Sequence, residues 1–130
     1  MSEIVQSSRA PAPIGPYSQA ILAGNELFCS GQIPLDPASG EIVGSDAKTQ
    51  ARQVLANLQA VLTAANFSAE EVVRTTIYLI DIDDFAAVNA EYERVFGASK
   101  PARSTVAVAA LPRGARVEID AIAKRRSPTK

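Results

Sequence analysis

Arg103, Glu118 and Asp120 are the side chains of this 130-residue sequence best suited to chemistry. Arg103 opens a strand-like run in Pro101-Ala-Arg-Ser-Thr, where a permanently charged fork can hold a carboxylate through two parallel hydrogen bonds. Glu118 and Asp120 stand two apart in Val-Glu-Ile-Asp-Ala-Ile-Ala. That spacing puts both on one face of a strand, with Val117, Ile119 and Ala121 on the other. A carboxylate in a sheltered site takes and returns a proton near neutrality, because burial disfavours its charged form. Tyr17 follows the turn-forming pair Gly15-Pro16. Ser30-Gly31 lies inside a strand pattern, where glycine admits close approach by a ligand or another chain. Taken singly, each has a second reading. Arg103 also fits a solvated strand end, Glu118 and Asp120 the wet side of an amphipathic strand, and Tyr17 an aromatic anchor.

What is missing narrows the chemistry. The sequence contains no histidine, which excludes Ser-His-Asp and Cys-His triads and His-ligated zinc. Its single cysteine, Cys29, excludes an intrachain disulfide and a cysteine-cluster metal site; without a neighbouring histidine or helix start it reads as packing. No glycine-rich phosphate loop or dinucleotide fingerprint occurs. An enzyme built this way works with carboxylates, arginine, tyrosine, hydroxyls, backbone groups and water. With 13 basic and 14 acidic residues the net charge is −1, which argues against nucleic acid as the main partner. The basic run Lys124-Arg125-Arg126, with Lys130, reads as a solvated tail. The N-terminus carries an early acid and no apolar run, and the apolar stretch Val106–Leu111 is far short of the roughly 18 residues of a membrane span. The expectation is a soluble, cytoplasmic protein.

The elements that must position these groups follow from periodicity. Apolar residues at 47% and charged residues at 21% suit one globular domain over residues 1–130. Residues 1–11 are expected to form an extended lead-in, and prolines and a glycine punctuate residues 9–16. Strands are predicted over Tyr17–Ala23 and Glu26–Ile33, joined by a Gly24-Asn25 hairpin turn, with a short segment at Glu41–Val43. Ala51, Val54, Leu55, Leu58, Val61, Leu62 and Ala65 form a helical stripe within residues 47–65, with Asp46 as N-cap. Val72–Ile80 is rich in β-branched residues and reads as a strand. Phe85, Val88, Tyr92, Val95 and Phe96 mark a second helix, ended by Gly97. Strands at Ser104–Ala110 and Arg116–Lys124 close the chain around the turn Leu111-Pro-Arg-Gly, leaving residues 127–130 as a frayed tail. Two consecutive strand–helix–strand units imply that part of the sheet is parallel. Each helix has one apolar stripe, so both cover one face of a single sheet. Apolar residues nevertheless fall on both strand faces: Val72, Tyr78 and Ile80 alternate with Val73, Ile77 and Leu79, and Phe28 opposes Leu27 and Cys29. The economical cover for the second face is another copy of the chain. From these residues alone the reading is an α+β self-associating domain whose function stays open.

Six fragments in register add to this. Ala12-Pro-Ile-Gly-Pro-Tyr-Ser-Gln, Ser30-Gly-Gln-Ile-Pro, Asp84-Phe-Ala-Ala-Val-Asn, Pro101-Ala-Arg-Ser-Thr-Val, Leu111-Pro and Val117-Glu-Ile-Asp-Ala-Ile-Ala closely resemble the RidA (YjgF) family, from about Ala12 to Arg126. The resemblance implies a chorismate-mutase-like α+β fold, a single mixed sheet with two helices on one face, assembled as a homotrimeric barrel with intersubunit clefts. It also implies hydrolysis of 2-imino acids and enamines, 2-iminopropanoate or 2-iminobutanoate giving the 2-keto acid and ammonia. Those intermediates damage pyridoxal-phosphate enzymes, and the family needs no metal or cofactor to remove them. Carried over by position, Arg103 corresponds to the arginine that clamps the substrate carboxylate and Glu118 to the glutamate that activates water. Tyr17 corresponds to the tyrosine at the subunit boundary, Ser30 and Gly31 to the strand lining the cleft, and Asn89 to a recurrent helix asparagine. Many members carry cysteine where this chain has Thr105. The family uses that residue through its backbone carbonyl, so activity should survive and thiol-based roles should not.

Two other readings compete. One is a trimeric small-molecule-binding or chaperone-like module without turnover, against which the presence of Arg103 counts. The other is ribonuclease activity, which the absence of histidine and of a basic stripe disfavours.

Overall fold

A computed structural model describes residues 2–125. The chain forms β1 (Ser2–Val5), β2 (Ala20–Ala23), β3 (Glu26–Gln32), α1 (Ala47–Ala64), β4 (Val72–Leu79), α2 (Phe85–Phe96), β5 (Ala102–Ala107) and β6 (Val117–Lys124). The strands make one six-stranded sheet in the order β1-β2-β3-β6-β4-β5. β4 and β5 are parallel, with α2 as the crossover; every other pairing is antiparallel.

Both helices lie on one face, as their single stripes require. Val54, Leu58, Val61 and Leu62 of α1 join Val88, Tyr92 and Phe96 of α2 over Leu27, Ile77, Leu79, Val117, Ile119, Ala121 and Ala123 in one buried cluster. Each strand contributes alternate residues to it, which is the period of the pleat. Asp46 caps α1 by accepting from the Thr49 N–H at 2.9 Å. α2 stops at Gly97, whose φ of −62° is ordinary, so no left-handed glycine closes it.

Several elements depart from expectation. Ser2–Val5 is an edge strand because Val5, Ile4 and their neighbours find antiparallel partners in β2. Glu41–Val43 makes only the single bridge Leu35↔Ile42. β2 starts at Ala20, not Tyr17, and β5 ends at Ala107, not Ala110. In β4 the register shifts between Val72 and Arg74, so Val72 turns inward with Ile77 and Leu79 while Val73 is exposed. A bulge of this kind reverses the face assignment that strict alternation gives. The 127–130 tail lies outside the described residues.

Buried amides fasten the loops to this core. Gln19 donates to the carbonyls of Ser7, Ala10 and Pro11, which orders the proline-rich lead-in. Asn57, fully enclosed in α1, donates to Ile33 O at 3.2 Å and Leu35 O at 3.0 Å. Asn57→Ala strips two buried carbonyls of their donor, and the expected loss is about 2 kcal/mol of stability, read as a lower urea midpoint at unchanged slope.

Candidate functional site

The sequence-nominated residues gather into two separate clusters. Tyr17, Ser30, Gly31 and Glu118 line a cavity of about 340 Å³ with Ile14, Ile33 and Pro112. Asn89 and Arg103 line another of about 290 Å³, with Tyr92, Phe96 and Lys100 among its walls. Thr105 lines neither; its Oγ is enclosed and finds no hydrogen-bond partner among the described residues.

Local backbone chemistry builds the first cluster. Between Cys29 and Gln32 the register of β3 on β6 shifts, and Ser30-Gly31 is the extra stretch. Ser30 N–H donates to Gln19 O at 2.9 Å and its hydroxyl donates to Ser18 O at 2.6 Å, which anchors the bulge to the segment carrying Tyr17. The Glu118 side chain lies directly across Gly31, where a Cβ would overlap its carboxylate. Glycine is required there for close approach rather than for backbone freedom. Burial, and then the Asp120 charge, push the Glu118 carboxyl above the ordinary carboxylate range. Tyr17 is half exposed and its ring closes over Gly15.

The second cluster is built by one face of α2. Phe85, Asn89 and Tyr92 stand at i, i+4 and i+7, under β5. Asn89 Oδ1 accepts from Arg103 Nη1 at 2.7 Å. The guanidinium sits 4.8 Å from the Tyr92 ring centroid and 5.6 Å from that of Phe85. Tyr92 is fixed in turn by a 2.6 Å hydrogen bond with Thr75. Among the described residues no ion pair includes Arg103. Glu93 also lines this cavity, yet it makes no ion pair with Arg103, so the planar cation held by an amide and two aromatic faces is free to meet an anionic ligand. The helical periodicity assigns Phe85 and Tyr92 only to the core stripe; their spacing from Asn89 is the available signal. Nothing in the sequence marked Ile14, Ile33 and Pro112 as walls.

Cys29 behaves as packing: burial, with the nearby Asp120 charge, raises its thiol to about 12. Arg125 is not a solvated tail residue. Its guanidinium lies 4.2 Å from the Phe67 ring centroid and donates to Ala65 O at 2.7 Å, closing the C-terminal end of α1. Among the described residues no His, Cys, Asp or Glu cluster could hold a metal, and no helix is long and apolar enough to cross a membrane.

Residues 7–125 match the family described as Endoribonuclease L-PSP. A RutC family protein of Pyrococcus horikoshii is 54% identical over 95% of this chain and 98% of its own length. This chain belongs to the RidA (YjgF) family. Another RidA-family relative, the 2-iminobutanoate/2-iminopropanoate deaminase of Capra hircus, is 48% identical over 92% of this chain and 88% of its own. Among solved structures, Escherichia coli TdcF with bound serine superposes with a TM-score of 0.91 at 41% identity, covering 95% of this chain and 99% of that one. The single mixed sheet with two helices is thus a RidA-family fold, and the two clusters occupy its β6 and β5 strands.

Proposed function

We propose that the protein hydrolyses 2-imino acids to 2-keto acids and ammonia in a cleft assembled between copies of the chain. The observation that carries this reading is the placement of Arg103 and Glu118. Arg103 pairs with Thr75 on the helix side of edge strand β5, whereas Glu118 pairs with Tyr78 on the opposite face of β6. Within one chain the two are separated by the sheet itself. A 2-imino acid has its carboxylate bonded directly to the reacting carbon, so one molecule can meet both groups only where two chains adjoin.

The sheet surface supports such an assembly. On the face away from the helices, Ile4, Ile21, Phe28 and Ile122 lie side by side across four strands. Ile4 is 65% and Phe28 41% exposed, an apolar row that water does not favour. A trimer that joins these faces would cover it. Phe28→Glu places a charge in the row and is expected to convert a trimer into monomers in sedimentation velocity, with hydrolysis lost in parallel. A wild-type monomer with full activity would rule out the shared cleft.

The chemistry needs only positioning and a proton carrier. Arg103 holds the carboxylate, removing translational freedom and presenting the C=N carbon to a water at Glu118. Water oxygen bonds to the carbon of the protonated imine, the C=N π pair moves onto nitrogen, and one water proton passes to the Glu118 carboxylate, leaving a neutral carbinolamine. Glu118 returns the proton to nitrogen, the C–N bond breaks as the hydroxyl oxygen forms the carbonyl, and the released proton leaves with ammonia as ammonium. Ile14, Ile33 and Pro112 beside Glu118 suit an aliphatic substrate side chain. The deaminase name carried by the goat relative and the serine bound to TdcF agree with a small carboxylate-bearing amino compound. Removal of such imines would spare pyridoxal-phosphate enzymes from them.

The test generates imines in place with an amino-acid oxidase acting on several amino acids and follows keto-acid release. Acceleration by the wild-type protein supports the reading, and the series ranks the side chains. Binding of 2-keto acids without acceleration would favour a ligand-binding module.

A further inference from the structure

We propose that Asp120, fixed by Tyr78, is a positioning residue that acts through Glu118 and makes it the proton carrier of the cleft. This rests on the reaction assigned above. The two carboxylates share one face of β6 at a spacing of two residues, which places their Cβ atoms about 7 Å apart. Carboxylates that close are ordinarily kept apart by rotation or by a cation. No cation pairs with either one among the described residues. The Tyr78 hydroxyl, on the strand next door, donates to Asp120 Oδ2 at 2.9 Å and keeps that carboxylate on the Glu118 side of the sheet. Glu118 in turn lies over Gly31, and Tyr78 is its cross-strand neighbour.

The surroundings show why a second carboxylate is useful. β3 presents Ser30 and Gly31 to Glu118, β4 presents Tyr78, and the segment before β2 presents Tyr17, none of them a carboxylate or a cation. Arg74, the cation on this face of β4, points to Ser104 and bonds its hydroxyl at 2.9 Å. Among the described residues Asp120 is therefore the formal charge that acts on Glu118, and the Glu118 carboxyl is raised by burial and by Asp120 together. In the assembled cleft the clamping arginine of a neighbouring copy would face the same carboxyl with opposite sign. Unopposed, that cation would hold Glu118 ionised and unable to return a proton to nitrogen. The fixed Asp120 charge offsets it, so the carboxyl can both accept the proton of water and give it back.

The experiment follows the Glu118 carboxyl directly, by carbon NMR of protein labelled at the glutamate side-chain carboxyl, assigned with Glu118→Gln. Asp120→Asn is expected to lower the Glu118 midpoint by about one unit, a tenfold loss of proton affinity. The acid limb of the kcat/KM profile for imine hydrolysis should move down by the same amount. Asp120→Ser, which keeps a partner for Tyr78 in less space, should do likewise, and Asp120→Glu, which keeps the charge, should stay near wild type. An unchanged Glu118 midpoint in folded Asp120→Asn or Asp120→Ser protein would overturn the proposal. The two ideas fail separately: wild-type protein without imine hydrolysis defeats the assigned reaction, while the NMR midpoints still decide whether Asp120 governs Glu118.

Discussion

Arg103→Ala is expected to lower kcat/KM for 2-imino acid hydrolysis by roughly 30- to 700-fold, the equivalent of about 2–4 kcal/mol for a lost charge-assisted pair. The structure explains why so much depends on one side chain. Arg103 is oriented before any ligand arrives, by Asn89 at 2.7 Å and by the Tyr92 and Phe85 rings. Its ordering is therefore complete in the folded chain, and a carboxylate gains the full benefit of a prepared fork. Stability should barely change, because Arg103 is only partly buried and makes no ion pair among the described residues. Arg103→Lys should recover only part of the loss, since an ammonium cannot reproduce the two parallel bonds. Affinity for a 2-keto acid, measured by calorimetry, should fall alongside turnover. Equal activity in Arg103→Ala and wild type would remove the clamp from the mechanism.

Glu118→Gln is expected to lower kcat by about 10²- to 10⁴-fold with little change in KM, the usual range for loss of a positioned proton carrier. The amide keeps the shape over Gly31 but neither takes a proton from water nor returns one. Its pH profile supplies a second readout. The Glu118 carboxyl is raised above its ordinary 4.5, so wild-type activity should fall on the acid side at a pH above that value. In Glu118→Gln that limb should vanish. Stability should move the other way. A carboxyl whose affinity for protons is higher folded than unfolded lowers stability as pH climbs from the ordinary value through the raised one. At neutral pH the wild type carries that penalty and the glutamine variant does not. A slower yet more heat-resistant variant at pH 7, with the difference shrinking in acid, is the expected pattern. Loss of both activity and stability would point instead to a packing role for Glu118.

Much of the architecture could be read from single residues. The α1 stripe and its Asp46 cap, the Gly24-Asn25 hairpin and the β-branched run of β4 are local signals, because side-chain period and cap chemistry act within a few residues. Placement of Glu118 with Asp120, away from Val117 and Ile119, follows from the pleat alone. Histidine-free chemistry followed from composition. Features set by contacts between distant segments could not be read this way. Val5 finds β2, and the lead-in is held by Gln19, only once the sheet exists. The β4 bulge inverts Val72 and Val73 through pairing with β6, which no alternation pattern anticipates.

The site divides along the same line. Residue type and spacing determined which groups this protein offers: the proposed carboxylate fork at Arg103, the proposed proton carrier at Glu118, and a glycine at Gly31 that admits the Glu118 side chain. Tertiary structure alone decided that the fork and the carrier stand on opposite faces of one sheet, since strand order β3-β6-β4-β5 is a long-range property of the chain. It also decided that Tyr78, from a strand distant in sequence, pins Asp120 beside Glu118. Period-two patterning tells which face a side chain takes; it carries no information about which strand will lie next to it, and the electrostatics of this site depend on that neighbour.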